Sequence, residues 1–140
     1  MINHQQCHFL VATSTSPDHK ALGLLAYSSQ RAHPEIIPPV EEPELYIRFL
    51  IASRDDPRAK GVGRAFVAEC ELEAVEGGAE VIRVDCFDGE EAKGALVRVY
   101  EGMGFVKMGG RIAYNEEGWM GQVLGKRVGA RDGGEAKGSG

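Results

Sequence analysis

The chain has 140 residues, 43% of them apolar, which suits one domain with a real core and is short for two. A formal net charge of -5 and a pI of about 5.4 argue against a nucleic-acid partner held on a basic face. The apolar runs are strand-sized, far below the roughly 20 residues that span a bilayer. Residues 1–6 carry no basic flank followed by an apolar stretch, so neither a membrane nor a secretory route is expected and a cytoplasmic location follows by default.

Residues 8–13 form a short apolar run that reads as a strand, and residues 21–27 a second, joined by a polar, turn-rich stretch into a hairpin. Between 31 and 43 the chain carries four of its six prolines and several glutamates, which predicts an exposed loop or mobile linker. Residues 45–52 are the clearest strand, rich in β-branched and aromatic side chains. A turn at Asp55-Asp56-Pro57 and a glycine loop lead to a helix from Val62 to about Glu76. Val62, Phe66, Cys70 and Ala74 form its apolar face, and Gly77-Gly78 suits a left-handed cap. Residues 80–86 alternate like a half-buried strand. Residues 92–102 fit a second helix with Ala95, Leu96 and Val99 inward, 105–108 and 119–128 read as strands, and the Gly-rich residues 129–140 read as a disordered tail.

The order is β-β-β-α-β-α-β-β in one domain over residues 1–128. The spacing from 45 to 86 has the length of a parallel βαβ crossover, so the class is α/β or α+β with a mixed sheet. Cys7, Cys70 and Cys86 are odd in number and contain no CxxC pair, so they suggest no disulfide framework and no metal site.

The sharpest local feature is Arg58-Ala59-Lys60-Gly61-Val62-Gly63-Arg64, between a strand and a helix. The first N–H groups of a helix lack intrahelical partners and carry the positive end of its dipole. Glycines there let a phosphate reach the backbone without meeting a Cβ. Arg58, Lys60 and Arg64 add formal charge. A Walker A loop would require Lys-Ser/Thr after the last glycine, where Arg64-Ala65 stands. A dinucleotide fingerprint would require a third glycine, where Phe66 stands. Taken alone, the loop fits either an anion cradle or a plain turn with solvated basic residues.

Arg-x-x-Gly-x-Gly in this setting resembles the coenzyme A pyrophosphate loop of the GNAT acetyltransferases. Tyr100-Glu101-Gly102-Met103-Gly104-Phe105 downstream is similar to the family's Tyr-Glu-x-x-Gly-Phe segment. Asp85-Cys86-Phe87 and residues 118–124 also look like the family, so the resemblance covers about residues 8–128. It implies an α/β (α+β) fold with a centrally splayed, helix-flanked sheet, and acetyl-CoA as cosubstrate with no metal. The implied reaction is direct transfer of the acetyl group to a primary amine of a small molecule or peptide. A non-catalytic coenzyme A-binding or structural domain of the same fold is the alternative.

By the same resemblance Leu50, Ile51 and Ala52 pair with the pantetheine arm, while Arg58, Ala59, Lys60, Gly61, Val62, Gly63 and Arg64 hold the pyrophosphate. Lys93 stands where many members have an Asn that touches the pantetheine, and Tyr100 is the acid that protonates the departing thiolate. A general base is not singled out among Glu44, Tyr46, Arg48 and Asp85. The family's first strand and the helices that wall its acceptor pocket are expected to be missing or shortened, and a homodimer is allowed.

Overall fold

The computed structural model describes residues 7–15, 17–89, 93–115 and 118–128. Within them, strands β1 (His8–Thr13), β2 (Ala21–Ser28) and β3 (Glu44–Ala52) form an antiparallel meander. A single 3-10 turn, Pro57–Ala59, leads into helix α1 (Val62–Gly77), which returns the chain to β4 (Val81–Phe87), parallel to β3. Helix α2 (Ala95–Glu101) follows, then the two-residue strands β5 (Val106–Lys107) and β6 (Ile112–Ala113), and last β7 (Met120–Arg127). The sheet order is β1-β2-β3-β4-β7-β5, with β6 also on β7, and only the β3–β4 contact is parallel. The expected mixed α/β sheet and its βαβ crossover are both present. The second helix's expected start at Ala92 and the tail from 129 lie outside the described residues.

The main core lies between one face of the sheet and both helices. Leu25, Leu45, Ile47, Ile82, Val84 and Leu124 project from the strands against Phe66, Val67, Cys70 and Ala74 of α1 and Val97 and Tyr100 of α2. Gly23 on β2 lies against the start of α1. A Cβ there would stand 2.7 Å from the Ile51 carbonyl oxygen and 2.8 Å from a Val62 methyl. At its end α1 stops at Gly78 in the left-handed region (φ 83), whose N–H reaches the carbonyls of Ala74 and Val75.

The expected irregular, largely exposed loop at 31–43 is present with a buried anchor, and one other reading needs correction. The 31–43 segment is irregular but packs onto the other face of the sheet, where Ile37 is fully buried with Ala32, Tyr46 and Val123. Arg31 ties it together by donating from Nε to the Ile37 carbonyl at 2.6 Å, and Arg83 donates to the Pro38 carbonyl at 3.1 Å. Here the prolines restrict the chain, and one apolar anchor, Ile37, outweighs the polar average. Helix α2 is also turned from its expected phase. Gly94 sets its start with φ 73, so Val97 and Tyr100 point inward while Ala95 and Val99 are exposed. Among the described residues no helix is long and apolar enough to cross a membrane.

Candidate active site

The pairing of β3 with β4 covers only Glu44 to Ile47 against Val81 to Val84. Beyond it the strands part. β3 continues to Ala52 paired with β2 alone, and Asp85 to Phe87 of β4 pair with β7 alone. The facing edges of this opening present unpaired backbone groups, which can accept an extended ligand as an added strand.

The glycine loop closes one end of the opening. Asp56 caps the 3-10 turn by accepting from the Arg58 N–H at 2.9 Å, Ala59 is buried, and Gly61 takes φ 87 as the N-cap of α1. The first helical bond runs from Ala65 N–H to Gly61 O, and no side chain caps the helix. The N–H groups of Val62, Gly63 and Arg64 are therefore left with the positive end of the helix dipole. A Cβ built on Gly63 would meet only a Leu50 methyl at 3.7 Å, so space lies above this residue.

That space belongs to a cleft of about 450 Å³ between β3, the start of α1 and α2. Leu50, Ala52, Gly61, Gly63, Arg64 and Tyr100 all line it. Of the other residues expected here, Ile51 lies exposed on the opposite face of β3, and Arg58, Ala59, Lys60 and Val62 build the loop behind the lining. Lys93 is exposed with φ 53, and its carbonyl accepts from the Arg98 guanidinium at 2.7 Å. It does not line the cleft. Arg98 and Val99, which do, escaped sequence reading. The apparent helix phase pointed Val99 into the core, and nothing marked Arg98 out from an ordinary surface arginine.

The charges also differ from expectation. Arg58 is clamped by two carboxylates, at 2.8 Å from Asp56 and 3.0 Å from Asp18. Its guanidinium holds Asp18 down to about 2 and depresses Asp56 as well. These acids balance the charge that the loop sequence assigns to a phosphate. Asp18 lies 40 residues away in the chain, out of reach of local reading. The cationic side chains on the cleft itself are Arg64, whose Nη2 donates to the Gly102 carbonyl at 3.3 Å, and Arg98.

Tyr100 is 7% exposed, its ring edge-on to Phe105 with centroids 5.6 Å apart. Burial pushes the phenol up to about 12, and no hydrogen-bond partner for its hydroxyl occurs among the described residues. The phenol therefore stays protonated, and the residue lines the cleft. Burial likewise lifts the thiols of Cys70 and Cys86 to about 12, which keeps both protonated and inert.

The face of the sheet away from the helices is polar at its centre. Arg83, 2% exposed, binds Glu44 through Nε at 2.5 Å and Nη2 at 3.2 Å. Asp85 accepts from the Tyr46 hydroxyl at 2.6 Å and from the Tyr114 hydroxyl at 2.5 Å. Burial and the neighbouring carboxylate raise both phenols well above the usual range. Of the four candidate bases, Glu44 is thus held by Arg83, Tyr46 is bound to Asp85, and Arg48 donates to Ser28 at 3.3 Å. Among the described residues no group of three or more His, Cys, Asp or Glu side chains is arranged to hold a metal ion.

No family model and no curated protein matches the sequence. Solved structures do match in shape. One, assigned as an acetyltransferase of the GNAT family from Desulfovibrio desulfuricans, has a TM-score of 0.67 at 19% identity, over 88% of this chain and 69% of that one. Nourseothricin acetyltransferase gives 0.69 at 18% identity, over 89% and 67%. The NatC complex bound to Gag peptide and CoA gives 0.62 at 18%, over 86% and 71%. At these identities the likeness speaks for architecture, and the chain has the fold of the GNAT acetyltransferases.

Proposed function

We propose that the chain is an acetyl-CoA-dependent N-acetyltransferase that acetylates a primary amine of a small molecule or peptide. One observation carries this reading. A single cleft combines an uncapped helix N-terminus, a glycine with open space where a Cβ would stand, and a buried tyrosine, all beside a splayed strand pair. The cleft suits coenzyme A part by part. The N–H groups of Val62, Gly63 and Arg64 match a pyrophosphate, with Arg64 and Arg98 as counter-charges. The free edge of β3 near Leu50 and Ala52 matches the amides of a pantetheine arm. Leu96 and Val99 give that arm an apolar wall.

Acetyl-CoA supplies the activated acyl group as a thioester. Tyr100 holds a proton at its Oη, and burial keeps it there across the neutral range, where a departing thiolate can take it. Lys60 stands outside the lining, so its part is to draw the anion towards the loop from solution, while the charge of Arg58 is taken up by Asp18 and Asp56.

A coenzyme A-binding domain without turnover is the second reading. It is favoured by Lys93 lying off the cleft and by the engagement of Arg58 with Asp18 and Asp56. Thermal melts with acetyl-CoA, CoA and ATP test both, because a ligand that binds only the native state raises its melting temperature by mass action. Stabilisation by the two coenzymes and not by ATP is expected, and no shift with acetyl-CoA at millimolar concentration refutes both readings. Thiol release over a panel of primary amines then separates enzyme from binder.

A further inference from the structure

We propose that the cavity between residues 36–40 and the β5–β6 turn, on the face of the sheet away from the helices, is a second ligand site. It takes a small aliphatic acid as its carboxylate, held by Arg83 and Arg111. The site is separate from the acetyl-transfer reading, because no residue that lines it also lines the coenzyme cleft.

The cavity has a volume of about 550 Å³, within the range of small-molecule pockets. Three stretches of chain enclose it. Arg83 of β4 and Val123 of β7 come from the sheet, Met108 to Ile112 from the turn between β5 and β6, and Ile36, Pro38, Pro39 and Val40 from the 31–43 segment. Ile37 fixes that segment through its own burial, and its neighbours Ile36 and Pro38 border the space beside it. On the opposite wall the chain narrows to bare backbone. A Cβ at Gly109 or Gly110 would meet nothing within 4 Å.

The polar side chains that line this cavity carry one sign of charge. Arg83 is 2% exposed and engages three of its five N–H groups, Nε and Nη2 with Glu44 and Nη1 with the Pro38 carbonyl. The other two have no acceptor among the described residues, and a buried donor left unmatched is unfavourable. Tyr46 backs the guanidinium, 5.4 Å from its ring centroid, and so holds the group in place. Arg111 is exposed at the cavity and donates from Nη1 to the Asp88 carbonyl at 3.1 Å, a neutral partner that leaves its charge uncompensated. No acidic side chain lines the cavity among the described residues. Two guanidiniums against the single Glu44 carboxylate leave one positive charge, which a monoanion balances.

The walls decide the rest of the ligand. Ile36, Val40, Met108, Ile112 and Val123 are aliphatic or thioether side chains, and no aromatic ring lines the space for another ring to stack on. A carboxylate with an alkyl tail satisfies both halves. Its oxygens accept from the guanidinium N–H groups, and its tail leaves water for the apolar wall. An ammonium ion is repelled by Arg83 and Arg111, and inorganic phosphate gains nothing from the apolar side.

Calorimetric titration of the full chain at pH 7 with hexanoate, hexanamide and n-hexylammonium tests the site. Hexanoate should bind saturably, with hexanamide and n-hexylammonium about tenfold weaker or more. From butanoate to hexanoate the affinity should rise about threefold for each added methylene. Arg83 is part of the buried frame and its loss could unfold the chain, so the variants are Arg111→Gln, at an exposed position, and Val40→Glu, which sets a like charge on the wall. Melts confirm that each folds. Arg111→Gln should weaken hexanoate about fivefold or more, and Val40→Glu should make n-hexylammonium the tighter ligand. Saturating CoA should leave hexanoate binding unchanged. Equal affinity for hexanoate and hexanamide, phosphate binding as tight as hexanoate, or no rise with chain length would overturn the proposal. So would wild-type affinity for hexanoate in either variant, or displacement of hexanoate by CoA, which would put the probe in the coenzyme cleft.

Discussion

Replacing Gly63 by alanine should separate the fold of the glycine loop from its ligand. Gly63 is the second residue of α1, and its built Cβ meets a single Leu50 methyl at an ordinary 3.7 Å. Alanine is favoured over glycine within a helix by about 0.5–1 kcal/mol. The free protein should therefore be as stable as wild type or melt up to about 4 °C higher. The added methyl stands in the cleft, between the ligand and the N–H groups of α1. Losing one charge-assisted hydrogen bond of about 1.5–3 kcal/mol weakens the CoA dissociation constant by roughly 10- to 100-fold. Calorimetric titration with CoA, beside melts of the unliganded variant, reads both effects. Gly61→Ala is the contrast. Its φ of 87 makes any side chain strained, by about 1–2 kcal/mol, so stability and binding should fall together. A Gly63→Ala protein that folds well and binds CoA as tightly as wild type would refute the cradle and leave the loop a turn.

Tyr100→Phe should lower kcat by about 10²–10⁴-fold while leaving the acetyl-CoA melting shift in place, as steady-state kinetics and melts would show. Because burial raises this phenol to about 12, its deprotonation should cost no activity below about pH 11, and a pH–rate profile that fell near pH 10 would contradict the assignment. Glu44→Gln leaves the buried Arg83 without its carboxylate and should destabilise the fold by about 3 kcal/mol or more in urea titrations. Gly23→Ala forces a methyl against the Ile51 carbonyl and Val62, and denaturant melts should show a loss of about 1–3 kcal/mol.

Much of the frame was legible because its signals are local. Apolar runs bounded by turn residues mark β1 to β4, and the four-residue recurrence of Phe66, Cys70 and Ala74 marks the buried side of α1. Gly61 and Gly63 were legible for the same reason, since the need for a left-handed residue and an open helix start is written in adjacent positions. What escaped depends on distant partners. Arg58 reads as a free cation until Asp18 is folded against it. Tyr114 is an unremarkable tyrosine between a two-residue strand and a turn until its hydroxyl reaches Asp85. Ile37 is one apolar residue among prolines, and only Tyr46 and Val123 beneath it show that the segment is pinned. The phase of α2 was misread because Val99 is apolar for the cleft and not for the core.

The short parallel register between β3 and β4 also bears on how the chain assembles. The meander of β1, β2 and β3 closes through near neighbours, whereas Glu44 to Ile47 pair with Val81 to Val84 across the whole of α1. Four residue pairs form that seam, so it contributes little until α1 and the core beneath it are in place. A coenzyme lying in the opening would join the two halves after folding has finished. It would slow the unfolding rate and leave the folding rate nearly unchanged, so that the ligated protein gains its persistence kinetically, where β3 and β4 part.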